Sequence, residues 1–139
     1  MAFSLESKVV ARYRDGSMVR GITYDFAPLK KVFHVVSNST GEKVTHTIIP
    51  TDLKALFFVQ SLDGNKYATI SHNEPGEDVN TSGAKKLKIT FFDGEVLLCT
   101  SHVYTPGKEA FFVNPMEIDS NNIRIYINGG AIKQVDILS

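Results

Sequence analysis

Arg12, Arg14 and Arg20, followed by Lys30 and Lys31, are the residues of this 139-residue chain best suited by type and spacing to hold an anion. Planar guanidinium forks on one hairpin can grip phosphate or carboxylate oxygens in pairs. Tyr13 and Tyr24 lie nearby, and the same residues also suit a plain solvated strand face. Other reactive types are poorly placed. Cys99 and His102 are three apart on an expected strand, so their side chains point to opposite faces and cannot act as nucleophile and base. His72 with Glu74, Glu77 and Asp78 could form a loose cation site, but without the ordered spacing of a metal-binding loop it reads as a polar loop. The glycines of "NGG" at 128–130 precede a strand, whereas a phosphate cradle needs a helix after it. The chain therefore reads as a non-enzyme with no cofactor and no metal.

The elements that must carry these residues show a repeat. Shifted by 78 residues, Lys8–Val35 lies on Lys86–Val113 without a gap, with seven identities in 28 positions, including Asp15/Asp93, Gly16/Gly94, Pro28/Pro106 and Phe33/Phe111. After one inserted residue, "LKALFFV" from Leu53 lies on "IKQVDIL" from Ile132. Such agreement points to an internal duplication of a unit of about 55 residues. Each copy reads as strands. Val9, Ala11 and Tyr13 alternate with polar neighbours, as do Leu87, Ile89 and Phe91. "DG" at 15–16 and 93–94 is the signal for a tight hairpin, where glycine tolerates the positive φ required. A long second strand is expected to reach Phe26 or Tyr104. Then come a Pro-containing loop, a third strand at Phe33–Val36 or Ala110–Val113, a fourth at Val44–Ile49 or Asn122–Ile127, and a fifth at Lys54–Val59 or Lys133–Leu138. Five short strands are too few for a sandwich and predict a small curled barrel.

The order strand, "DG", strand with Val-x-Gly, Phe resembles the first motif of Sm-like (Lsm) barrels, carried here by Gly16, Val19, Gly21 and Phe26. "INGGAIKQVDI" from Ile127 resembles their second motif, and the whole chain is similar to an uncharacterised bacterial family with two such barrels in tandem. The resemblance implies an all-β protein of two tandem five-stranded Sm-like or SH3-like barrels: residues 1–60, a polar linker over 61–85, and residues 86–139. It does not bring an RNA pocket. RNA-binding Sm proteins have an Asp after the aromatic residue and an Asn soon after. Here Ala27 follows Phe26, Thr105 follows Tyr104, and neither copy has the Asn.

Charge and composition limit the partners. Net charge is zero overall, with +3 on residues 1–60, −2 on the linker and −1 on the second copy, so broad phosphate neutralisation is disfavoured. No run of 18 apolar residues suggests a membrane span, and a lone cysteine suits a reducing compartment, so a soluble cytoplasmic protein is expected. The outer face of the first hairpin carries Arg12, Arg14 and Arg20 in copy one but Thr90, Phe92 and Leu98 in copy two. Apolar area left in water costs about 25 cal/mol per Å², so Phe92 and Leu98 are expected to be covered, by copy one or by another chain. The function expected is binding or assembly, with itself or another protein as partner. RNA or nucleotide binding through Arg12, Arg14, Arg20, Lys30 and Lys31 is the alternative.

Overall fold

The structure, a computed structural model, describes residues 6–38, 41–62, 84–116 and 122–138. The expected linker lies almost wholly outside the described residues, as do the short strand expected at Tyr67–Ile70 and the group around His72. What is described is all-β. The first half holds β1 (Ser7–Tyr13), β2 (Met18–Thr23), β3 (Phe33–Ser37), β4 (Val44–Ile48) and β5 (Leu53–Val59). The second half holds β6 (Lys85–Phe91), β7 (Val96–Ser101), β8 (Ala110–Pro115), β9 (Asn122–Asn128) and β10 (Ile132–Ile137). A single 3-10 turn precedes the last strand of each half, Pro50–Asp52 and Gly129–Ala131.

All ten strands form one open antiparallel sheet in the order β10-β6-β7-β8-β9-β5-β1-β2-β3-β4. Both halves therefore run last, first, second, third, fourth, and β5 of the first half pairs with β9 of the second. The two hairpins turn at the expected sites. The Ser17 amide and hydroxyl donate to Asp15 Oδ1 at 2.9 and 2.6 Å, and the Glu95 amide donates to Asp93 Oδ1 at 2.9 Å. Gly16 and Gly94 take φ of +95° and +91°, the left-handed conformation that favours glycine.

The second strands are shorter than expected. β2 stops at Thr23, because Asp25 turns its carboxylate back onto the chain: Oδ1 accepts from the His34 amide at 2.9 Å and Oδ2 faces His34 Nδ1 at 2.7 Å. β7 stops at Ser101, whose hydroxyl donates to the Phe112 carbonyl and accepts from the Val103 amide. Phe26 and Tyr104 are thus loop residues, free to turn inward.

Two cores result, and each borrows from the other half. Val9, Ala11, Phe33, Val35, Ile48, Leu53, Leu56 and Phe58 pack with Tyr126 of the second half. Leu87, Ile89, Phe91, Leu97, Cys99, Phe111 and their neighbours pack with Val10, Ala55, Phe57 and Val59 of the first. This is why every residue of β5 is buried. A strand alternates its side chains between faces, so Leu56 and Phe58 fill one core while Ala55, Phe57 and Val59 fill the other. Among the described residues β10 covers no such second core, and Gln134 and Asp136 stand where β5 has Ala55 and Phe57.

Candidate binding site between the halves

Two groups of side chains bridge the halves, one ionic and one aromatic. The ionic group begins at Lys54, the polar residue in the apolar run of β5 and only 2% exposed. Its ammonium donates to Asp93 Oδ2 at 2.8 Å and to Glu95 Oε1, both on the second hairpin. It also lies 4.7 Å from the centre of the Phe91 ring, a favourable place for a cation. Arg12 donates to the same Glu95 Oε1 at 2.9 Å and lies over Phe57. Burial alone would raise the Asp93 carboxyl. The bonds from Lys54 and the Glu95 amide, with the charges of Lys54 and Arg12, hold it below the usual carboxylate value. The buried ammonium thus has two carboxylate partners, as a charge out of water requires.

The aromatic group centres on Phe26. Its ring meets Phe33 and Tyr126 edge-on, with centroids 5.1 Å away in each case, and Phe58 at 5.4 Å. Phe112 and Arg124 extend the group, the guanidinium lying 4.6 and 4.5 Å from the Phe58 and Phe112 centroids. Beside these rings opens a cavity of about 420 Å³, walled by Phe26, Phe33, Ile49, Pro50 and Leu53 from the first half and by Ala110 and Tyr126 from the second. Leu29, Lys30, Lys31, Glu109 and Asn128 also line it. Tyr126 ties the loop to the seam, its hydroxyl accepting from the Leu29 amide at 3.0 Å. Asn128 ties the 3-10 turn to it, donating to the Thr51 and Leu53 carbonyls at 3.2 and 2.9 Å. The walls are mostly apolar, with Lys30, Lys31, Thr51, Glu109 and Asn128 as the polar residues, a build that suits a small-molecule site.

The basic residues singled out by sequence divide between different places. Arg12 is engaged with Glu95, Arg14 reaches towards Gly130, and Arg20 is exposed on β2. Lys30 and Lys31 line the cavity, but none of the three arginines does. Lys30 donates to the Asp25 carbonyl at 2.8 Å and lies 3.7 Å from its carboxylate. Leu98 is buried at 3% exposure, whereas Phe92 is 66% exposed, so the two do not share one environment. Sequence reasoning missed Lys54, Asp93, Glu95 and Tyr126. A signal existed for two of them: a lysine inside "LKALFFV", and a tyrosine where the first half, 79 residues earlier, has Thr47.

Cys99 is wholly buried, and desolvation pushes its thiol far above the ordinary value. The folded chain therefore keeps this proton while an unfolded chain releases it above about pH 8.5. The unfolded state then binds fewer protons, so stability falls as pH rises through that region. Chemical denaturation from pH 7 to 10 should show this decline in wild type and a shallower one in Cys99→Ala. The native thiol should also resist an aromatic disulfide reagent that labels it fully in denaturant.

Among the described residues no three His, Cys, Asp or Glu side chains stand together as a metal site. Among them, too, no helix is long and apolar enough to cross a membrane. The arrangement can enclose an apolar group and meet charge at its rim. No curated protein and no solved structure matches the chain. A family match does extend over residues 5–139, nearly the whole sequence, and by it the chain belongs to DUF6982, a family of unknown function.

Proposed function

We propose that the chain is a tandem of two five-stranded Sm-like barrels produced by duplication, and that it works as a non-enzymatic assembly module in the cytoplasm, joining copies of itself through β4 and β10. One observation carries this reading. Inside the chain, the fifth strand of the first half pairs with the fourth strand of the second; the strands left at the two ends of the sheet are the fourth of the first half and the fifth of the second. The chain thus presents again, at its two ends, the same kinds of edge that it joins in its middle. An edge strand offers a row of backbone donors and acceptors to a partner strand. Repeating the contact from chain to chain is head-to-tail association, which gives a ring if it closes and a filament if it does not.

The internal junction also fixes the register. It sets Leu56 opposite Tyr126, Phe57 opposite Ile125 and Phe58 opposite Arg124. Seventy-nine residues away, the corresponding pairs between two chains are Val135 with Thr47, Asp136 with His46 and Ile137 with Thr45. These edges are more polar than the internal seam, which suits reversible assembly. The exposed Phe92 is a second apolar contact available to the same assembly. Binding of RNA or nucleotides by Arg12, Arg14, Arg20, Lys30 and Lys31 has less support, because Arg12 is held by Glu95 and the cavity excludes the other two arginines.

Light scattering across a dilution series tests the proposal. Wild type should show a concentration-dependent mass above that of one chain. Asp136→Lys should shift it to the monomer, and adding His46→Asp to that variant should restore association. A wild type that stays monomeric at every concentration, or a charge reversal without effect, would sink the idea. Retention on heparin with a steep salt dependence would favour the nucleic-acid reading instead.

A further inference from the structure

Leu29 sits in a conformation that its residue type resists. Its φ is +64°, and among the described residues it is the one non-glycine with positive φ. A side chain there brings its β-carbon against its own carbonyl. The position 78 residues later, in the matching loop of the second half, is Gly107 with φ +87°. The fold thus uses the same turn twice, once with glycine and once with leucine. Burial does not offset the strain, since Leu29 is 70% exposed. The hydrogen bond to Tyr126 needs only the backbone, which glycine would supply without strain, so a leucine kept here points towards a role for its side chain. The side chain stands at the rim of the cavity, and its amide is pinned there by Tyr126 of the other half.

We propose that this cavity is a binding site for a small amphiphile with an aromatic or branched apolar body and one acidic head group. Leu29 is the lip that closes over the body, Phe26 and Tyr126 form the floor, and Lys31 meets the acid. The volume, about 420 Å³, falls in the lower part of the range for ligand pockets and admits a single compact molecule. The charge at the rim selects the head group. Lys30 is already turned to Asp25, whereas Lys31 makes no ion pair among the described residues and is exposed. Glu109 also lines the cavity and disfavours a second negative group. Lys31 and Glu109 themselves occupy matching positions, 78 apart, so a cavity built on the other half's loop would have a carboxylate in place of Lys31 and no lip. The site lies within one chain and needs no assembly, so its test is separate from that of edge pairing.

The probe is 8-anilino-1-naphthalenesulfonate, an aromatic body with one acidic group, titrated into the intact chain by fluorescence and by calorimetry. One saturable site per chain is expected, with the same affinity at dilutions where the chain is monomeric. Leu29→Gly should melt higher than wild type, because it relieves the strained turn, yet bind the probe roughly tenfold more weakly. A merely structural leucine cannot give that combination. Lys31→Gln should weaken binding several-fold, and Glu109→Gln should tighten it. No saturable binding by wild type, unchanged affinity in Leu29→Gly, or a lower melting temperature for that variant would each overturn the proposal. Weaker binding in Glu109→Gln would overturn the acidic class of ligand.

Discussion

Gly21→Ala should destabilise the chain by about 3 kcal/mol or more, the severe end of what a single added methyl can do. A β-carbon at Gly21 would stand 2.2 Å from the Val36 carbonyl oxygen and 2.8 Å from its carbon. Those are backbone atoms of β3 and cannot swing aside. Relief requires parting β2 from β3, whose ladder at this crossing is the single pair Ile22 with Val36. The constraint belongs to the first half, since the matching position on β7 is Cys99, whose side chain is accommodated and buried. Gly16→Ala is the informative control. Nothing lies within 4 Å of its β-carbon, and only its φ of +95° opposes the change, at a cost of about 1–2 kcal/mol. Urea denaturation of both variants separates collision from backbone strain. Equal losses would show that β2 and β3 do not approach as closely as described.

Phe57→Ala should cost about 3–5 kcal/mol, as large-to-small changes of fully buried aromatics do. The larger point is where the damage falls. Phe57 belongs to β5 of the first half but packs among Leu87, Ile89, Phe91 and Phe111 of the second, with Arg12 over its ring at 5.7 Å. Tyr126 makes the reciprocal intrusion into the first core. With each core completed by the other half, unfolding should remain one cooperative transition in wild type and variant alike. Thermal unfolding read at probes in each half tests this. Two separated transitions, with only the second half weakened, would show that the halves are independent.

Much of the fold was legible because it is local. "DG" twice, with alternating apolar residues before it, places the hairpins, and four of the five strand types fall within a residue or two of their expected bounds. The second strands were overextended because their end is set by Asp25 and Ser101 folding back, which leaves no mark on alternation. The continuous apolar run Leu53–Val59 against the alternating Lys133–Leu138 did record which strand is central and which is an edge. The cavity was not legible, because its walls come from residues about 100 apart, joined only when β5 meets β9. Nor does composition reveal that Leu29 takes the turn of Gly107; that is a matter of φ. Lys30 and Lys31 were singled out for anion binding, but together with three arginines that the fold places elsewhere.

The pairing of β5 with β9 also has a temporal side. Ala55 waits for Ile127, and chains are synthesised at about 5–20 residues per second. For roughly 4–14 seconds at those rates, the first half stands complete in strand number while Ala55, Phe57 and Val59 lack the second half's side chains that cover them. During that interval its central strand is an apolar edge, the kind that templates aggregation. The nascent chain is therefore most vulnerable midway through its synthesis, while β5 presents an edge more apolar than either edge of the finished sheet, β4 or β10.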